Sequence, residues 1–253
     1  MPTYAPNIEL LYTQHADFAD RIRAAAADGF TAVEMWMTSV QDVDALAAAA
    51  KEAGVRISSV LAEPRFSFNM PGVDLEVFYQ GLRESIERAK KLGAPRLVLG
   101  SGMGFPGKKR IANLDGLVAA FREAVKIADA AGIDLVLEPV NTRVDHPGAL
   151  LDRTDEAIYV VDQVDSPRLT ILYDVYHSTV EGEDVVAMLD KYRDKIGYIQ
   201  LADHPGRGEA GTGVVDWPAV LKKIDEIGYT EVVGLEYYPT KDTTESLTYL
   251  RSI

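Results

Sequence analysis

The sequence predicts a (β/α)8, or TIM, barrel forming a single domain over residues 1–253. Two periodicities alternate from end to end, the β-branched runs reach eight, and no linker, low-complexity segment or composition shift interrupts them. Apolar runs stand out at 32–36, 55–61, 96–100, 134–138, 169–174, 196–201 and 232–236, after a weaker first run at 8–12. Between them, 17–28, 43–53, 75–92, 114–131, 150–164, 184–192 and 218–227 carry apolar residues at helical spacing. Several of these close on a glycine just before the next strand (Gly29, Gly54, Gly93, Gly132, Gly228). Glycine there accepts the left-handed conformation that ends a helix. Strands alternating with helices pair in parallel through right-handed crossovers. A doubly wound open sheet gives a similar pattern, and eight uninterrupted runs favour closure.

Bulk properties narrow the function. The chain is 47% hydrophobic and 26% charged, with no cysteine, the profile of a globular protein without disulfides or thiolate metal sites. Its formal charge of −13 and sequence pI of 4.8 repel phosphate backbones and anionic membranes and attract divalent cations. No signal-like leader opens the chain, and no apolar run reaches the roughly 18 residues of a membrane span. The expectation is a cytoplasmic enzyme with a small-molecule substrate and neither nucleic acid nor membrane as partner.

On a barrel the site lies at the C-terminal mouth, so the side chains that end each strand are the test. The fifth run ends at Glu138, the sixth at Asp174, the seventh near Gln200 and the eighth at Glu236. Any one of these is equally read as a polar residue bonded to a loop backbone. Four on neighbouring strands place their oxygens around one point. Buried carboxylates that converge require a cation. All four are hard oxygen donors, since Gln200 can offer its amide carbonyl, a set suited to one Mg or Mn rather than Zn or Cu.

The segments Leu137-Glu138-Pro139-Val140-Asn141, Asp174-Val175-Tyr176-His177, Ile199-Gln200-Leu201-Ala202-Asp203 and Gly234-Leu235-Glu236-Tyr237 resemble the xylose-isomerase-like barrel superfamily. The stretch from Asp203 through His204, Arg207 and Glu209 to Gly213 resembles its hydroxypyruvate isomerase branch. The resemblance is specific from about residue 134 onward. It implies a metal held by Glu138, Asp174, Gln200 and Glu236, with the two glutamates also exchanging protons with substrate. Related ketose 3-epimerases carry histidine at the third ligand position, so Gln200 favours the isomerase side. Barrels of this family commonly pair, which implies a homodimer or homotetramer. The loop at 100–110 is longer and more basic than the family pattern, which leaves substrate identity open at the mouth.

Moving a carbonyl between adjacent carbons means removing a proton beside it and returning one to the neighbour. A chelated divalent ion stabilises the enediolate, and two carboxylates serve as base and acid. Glu138 and Glu236 are the expected pair. His177 is expected to hydrogen-bond a substrate oxygen and Arg207 to take a substrate carboxylate or hydroxyl; Glu209 either orients Arg207 or faces water. Glu34, Glu63 and Trp36 end earlier strands and are candidates for lining the substrate or supporting the site, as Phe66 and Phe68 are for walling a pocket. His15 and His146 read as ordinary loop residues, and Trp217 as packing.

Rival readings remain weaker. Gly102, Gly104 and Gly107 have the spacing of a dinucleotide fingerprint, and Gly102 to Lys108 nearly that of a phosphate loop. Both need a helix starting at once, whereas Pro106 intervenes and Lys109 stands where Ser or Thr is required. A phosphodiester hydrolase on the same barrel needs more than four histidines and a basic face. A noncatalytic metal-binding protein leaves no trace that sequence excludes. Among enzymes, the alternative to an aldose–ketose isomerase is a ketose 3-epimerase on the same site.

Overall fold

Strands that are apolar on both faces belong between a filled barrel interior and a jacket of helices, and that arrangement is seen in a computed structural model describing residues 2–253. The strands are β1 (Tyr4–Pro6), β2 (Ala32–Val33), β3 (Arg56–Ile57), β4 (Val60–Leu61), β5 (Arg96–Gly100), β6 (Asp134–Glu138), β7 (Leu169–Asp174), β8 (Ile196–Leu201) and β9 (Val233–Leu235). All pair in parallel, in the order β1-β9-β8-β7-β6-β5-β4, with β2 beside β3. β3 and β4 are halves of one strand interrupted at Ser58 and Ser59, so nine segments supply eight staves. Closure runs through β2: Glu34 N donates to Pro6 O (3.1 Å), Ile8 N to Glu34 O (2.9 Å) and Leu61 N to Trp36 O (2.9 Å).

Around this ring lie α1 (Phe18–Ala27), α2 (Val43–Ala53), α3 (Leu75–Leu92), α4 (Arg110–Ala131), α5 (Thr154–Val164), α6 (Val175–Glu181), α7 (Val185–Lys191), α8 (Trp217–Glu226) and α9 (Thr243–Ser246). Aspartates at 17, 42, 74, 184 and 216 cap α1, α2, α3, α7 and α8 through their side chains. Gly54, Gly93 and Gly132 end α2, α3 and α4 in the left-handed region, as expected. Alternation along β5 to β8 splits the core. Val98, Val136, Leu172 and Tyr198 fill the barrel with Ala5 and Ala32, while Leu97, Leu135, Ile171 and Ile199 face the helices.

Three boundaries differ from the expectation. The first strand is Tyr4–Pro6 rather than 8–12: the earlier segment pairs with β9, and Leu10 N and Leu11 N turn back to Asn7 O. The apolar side chains of that turn are buried at the rim, which gave the run its strand-like look. Helix α4 starts at Arg110, four residues before its apolar period begins. Its first turn is held by Arg110 pairing with Asp152 and Glu156 and by Asn113 bonding Phe105. Helix α6 begins directly at Asp174, too short to leave a readable period. No helix among the described residues is long and apolar enough to cross a membrane.

Near the top of the barrel, register places Asp174 beside Gln200 and Gln200 beside Gly234. A Cβ on Gly234 would lie 2.4 Å from Glu34 Oε2 and 2.9 Å from Gln200 Cγ. The glycine makes room for a carboxylate inside the barrel. Gly234→Ala is therefore expected to cost about 1–3 kcal/mol, read as a lowered midpoint in urea with an unchanged slope; wild-type stability would show that the interior tolerates the methyl.

Candidate active site

The ends of β6 to β9 open on a cavity of about 560 Å3, lined on one side by Glu138, Glu236, His177 and Arg207 and on the other by Trp36, Phe66 and Phe68. Asp174 and Gln200 are buried on the neighbouring strands β7 and β8 and do not themselves line it. Asp174 plays two parts: Oδ1 caps α6 by accepting from Tyr176 N (2.7 Å) and His177 N (3.1 Å), while buried Oδ2 has no hydrogen-bond partner. Gln200 is similar. Its Nε2 donates to Glu34 Oε1 (2.9 Å), and its buried Oε1 has no partner.

Glu138, Asp174 and His177 each offer an atom within 4.8 Å of the others, a cluster that can hold a metal ion. His177 Nε2 lies 3.6 Å from Glu138 Oε1 and 3.8 Å from Asp174 Oδ2. Glu236 joins through a cation. Arg207 Nη2 is 2.6 Å from Glu236 Oε1 and 3.6 Å from Asp174 Oδ2. The structure thus gathers Glu138, Asp174 and His177 in one cluster, with Glu236 tied to Asp174 through the Arg207 guanidinium and Gln200 beside Asp174 in the strand register.

Electrostatics follow from this crowding. Burial pushes the carboxyls of Glu138, Asp174 and Glu236 above the usual range, and neighbouring acids push further (Asp174 on Glu138, Glu138 on Glu236). Arg207 acts on all three in the opposite sense. Burial also opposes the charge of Arg207, but Glu236, Asp174 and Glu138 more than restore it. Burial, with Arg207 adding to it, holds His177 and His146 below the ordinary histidine value. Asn141 N (3.2 Å) and Nδ2 (2.7 Å) meet His177 Nδ1. The backbone N–H can only donate, so Nδ1 accepts and the ring proton sits on Nε2, facing the acids.

Two expected substrate-lining residues do not line the cavity. Glu34 is buried beneath it and accepts from Tyr198 OH (2.7 Å), Gln200 Nε2 (2.9 Å) and Asn7 Nδ2 (3.2 Å). Glu63 turns to the α2 side, accepting from the backbone and hydroxyl groups of Thr38 and Ser39, with Arg88 at 3.6 Å. Trp36 does line it. Glu209 neither orients Arg207 nor faces water: it accepts from Thr240 N (2.9 Å) and Oγ1 (2.6 Å), tying the β8 loop to the β9 loop. Four residues were given no site role from sequence. His146 and Asp145 line the cavity, Arg65 stands at its edge, and Asn141 fixes the His177 ring. A turn such as Asp145-His146-Pro147-Gly148 after an acid-tipped strand was the available signal.

The amides of the glycine loop at 102–108 are engaged by neighbouring segments, the β6 loop and α4, instead of forming an anion cradle. Gly104 N donates to Gly148 O and Phe105 N to Asn113 Oδ1, and the helix waits until Arg110. The β8 loop is built differently. Asp203, fully buried, accepts from His204 N, Gly211 N, Val215 N and Trp217 Nε1. That frame holds Arg207 in the left-handed region (φ 53°) with its carbonyl accepting from Tyr238 N.

A parallel (β/α)8 barrel with buried acids at its C-terminal mouth defines an enzyme of barrel type. A profile of the xylose isomerase-like TIM barrel family matches residues 22–253, and the chain belongs to that family. It is 31% identical over 271 residues to the hydroxypyruvate isomerase of Escherichia coli, covering 99% of this chain and 98% of that one. It is 32% identical over 263 residues to the 2-oxo-tetronate isomerase of Cupriavidus necator, with 99% and 98% covered. Among solved structures, AP endonuclease, family 2, of Brucella melitensis superposes with a TM-score of 0.93 at 25% identity, covering 100% and 99%. The D-psicose 3-epimerase of Clostridium cellulolyticum H10, solved with D-tagatose, superposes at 0.80 with 18% identity and 99% of each chain covered, a likeness of fold alone. The chain is an isomerase.

Asp203→Ala strips four donors of one buried acceptor and is expected to cost about 2–5 kcal/mol. Denaturant unfolding followed by tryptophan fluorescence measures it; a loss under about 1 kcal/mol would mean the loop is held by something else.

Proposed function

We propose that this chain is a metal-dependent isomerase of a small sugar acid. It moves a carbonyl between adjacent carbons by proton transfer through an enediolate, with hydroxypyruvate (ketone to aldehyde) and 2-oxo-tetronate (2-ketone to 3-ketone) as the model substrates. The observation that carries the reading is the pair of buried acceptors, Asp174 Oδ2 and Gln200 Oε1, left without partners beside Glu138 and Glu236. A buried acceptor left unpaired costs about 1–3 kcal/mol, and one hard cation satisfies both. Glu138, Asp174, Gln200 and Glu236 would hold it, an all-oxygen set suited to Mg or Mn. His177 presents N–H to the cluster and so serves as a donor rather than a ligand.

When bound, the metal supplies Lewis-acid polarisation of the substrate's carbonyl and hydroxyl oxygens. The chain's own residues do the rest. One of Glu138 and Glu236 takes the proton from the hydroxyl-bearing carbon, and the other returns a proton to the former carbonyl carbon. His177 Nε2–H donates to the oxygen on which negative charge gathers. Arg207 offsets the charge of Glu236, and the wall of Trp36 and Phe66 keeps water from the reacting carbons. A ketose 3-epimerase would use the same two glutamates. The relatives above 30% identity over nearly the whole chain are isomerases of sugar acids, which favours isomerisation.

Glu138→Gln and Glu236→Gln are each expected to cut kcat by at least about 100-fold with the fold intact by circular dichroism; activity above a tenth of the parent in either ends the acid–base assignment. In deuterated water the product should carry solvent label at the new C–H, and its absence would favour hydride transfer. Chelation should silence the enzyme and Mn or Mg restore it. Glu34→Ala, which frees the Gln200 amide to turn, is expected to weaken Mn binding at least about tenfold by calorimetry; parent-like affinity would remove Gln200 from the ligand set.

A further inference from the structure

We infer that Arg65 is the residue that anchors the carboxylate of the substrate, and so makes this barrel select sugar acids over the neutral sugars of the same skeleton. The inference rests on the isomerase reading above and adds to it the end of the substrate that does not react.

The charges on the cavity wall are unevenly committed. Glu138, Glu236 and Asp145 are acidic, and the two arginines on the wall, which carries no lysine, are Arg65 and Arg207. Arg207 is buried and engaged with Glu236 and Asp174. Arg65 is exposed at the opposite edge, and among the described residues no carboxylate lies within 4.0 Å of it. It nevertheless lines the same cavity as Glu138 and His146. A carboxylate at the end of the substrate away from the acids that would hold the metal needs a free cation to meet it. Arg65 is that cation, and its planar fork matches a carboxylate in two-point contact.

The loop that carries it is fixed from below. Gly102, at φ +63°, packs so closely under this loop that a Cβ would lie 2.0 Å from Phe66 O and 2.7 Å from Ser67 Cα. Met103 N also donates to Ser67 Oγ (3.2 Å). The backbone beside Arg65 is therefore held while its side chain stays free over the cavity. The same bonds argue for a carboxylate and against a phosphate ester. Amides of the neighbouring loop that would cradle a phosphate are spent on Ser67, Gly148 and Asn113. The substrate then lies with its carboxylate toward Arg65 and Phe66 and its reacting carbons toward Glu138 and Glu236.

Two matched pairs test this with Mn-loaded protein. Hydroxypyruvate and dihydroxyacetone, like 2-oxo-tetronate and erythrulose, differ only in carboxylate against hydroxymethyl at the first carbon. The parent should favour the acid of each pair, and Arg65→Gln should lower the acid-to-neutral ratio of kcat/KM at least about tenfold, chiefly through KM. Arg65→Lys should retain a preference smaller than the parent's. An unchanged ratio in Arg65→Gln overturns the inference even if the acids are still isomerised. Binding separates the two readings: tartronate, compared with glycolate, carries one extra carboxylate and needs no turnover. If no pair is turned over but Arg65→Gln selectively weakens tartronate, the anchor stands and the isomerase reading falls. Tartronate affinity that is absent, or equal in parent and Arg65→Gln, sinks the anchor.

Discussion

Carboxylates buried at one end of a barrel govern the rest of this molecule. Glu34, Asp174 and Glu236 are each at most 5% exposed, Glu138 opens only onto the cavity, and one guanidinium serves the group. Stripping water from so many acids raises each of them against the others. The surrounding structure answers in two ways. Glu34 is saturated by donors from Tyr198, Gln200 and Asn7, and Gly234 gives up a side chain to make its room. Asp174 and Gln200 are instead satisfied on one side only, Asp174 through Oδ1 and Gln200 through Nε2, with Asp174 Oδ2 lying in the cluster with Glu138 and His177 that can hold a metal ion.

Parallel strand register makes that placement inexpensive. Asp174, Gln200 and Gly234 are partners across β7, β8 and β9, and Glu236 follows two residues above Gly234 on the same face. Each site residue is thereby fixed by backbone hydrogen bonds below it, not by a loop. Where loops do contribute, they are internally crosslinked: Asp203 binds the β8 loop at four points, and Asn141 clamps the β6 loop to the His177 ring. Rigid support for the reacting groups is what proton transfer between neighbouring carbons needs, because the base and acid must face one substrate without rearranging.

What sequence made legible follows the same division. The strands and most helices announced themselves because an apolar period and a capping glycine survive in one dimension, as at 75–92 with Gly93. Acidic strand tips were equally visible, since Glu138 and Asp174 each close an apolar run. Direction was not. Glu34, Glu63 and Glu138 all look alike at a strand end, yet one points beneath the site, one toward Thr38 and one into the cavity. Which way each turns depends on donors more than twenty residues away, such as Tyr198 for Glu34. The short helix at Asp174 and the roles of Asn141, His146 and Arg65 were hidden for the same reason: loops carry no period, and their meaning lies in what they meet.

This division also explains why one barrel architecture accommodates isomerases and epimerases alike. In the proposed reaction the strand-borne acids would take and return a proton beside a carbonyl without determining which carbon faces them. That choice belongs to the opposite wall, built by the loops after β2, β4, β5 and β6, where Trp36, Phe66, Arg65 and His146 stand. A neutral sugar can be held there by apolar contact and hydroxyl bonding in more than one orientation. For a substrate with a charged end, the proposed Arg65 anchor would favour one orientation, with the carboxylate toward that edge and the reacting carbons toward Glu138 and Glu236. Electrostatic asymmetry across a cavity of this kind selects orientation first, and the chemistry follows from the carbon left facing the acids.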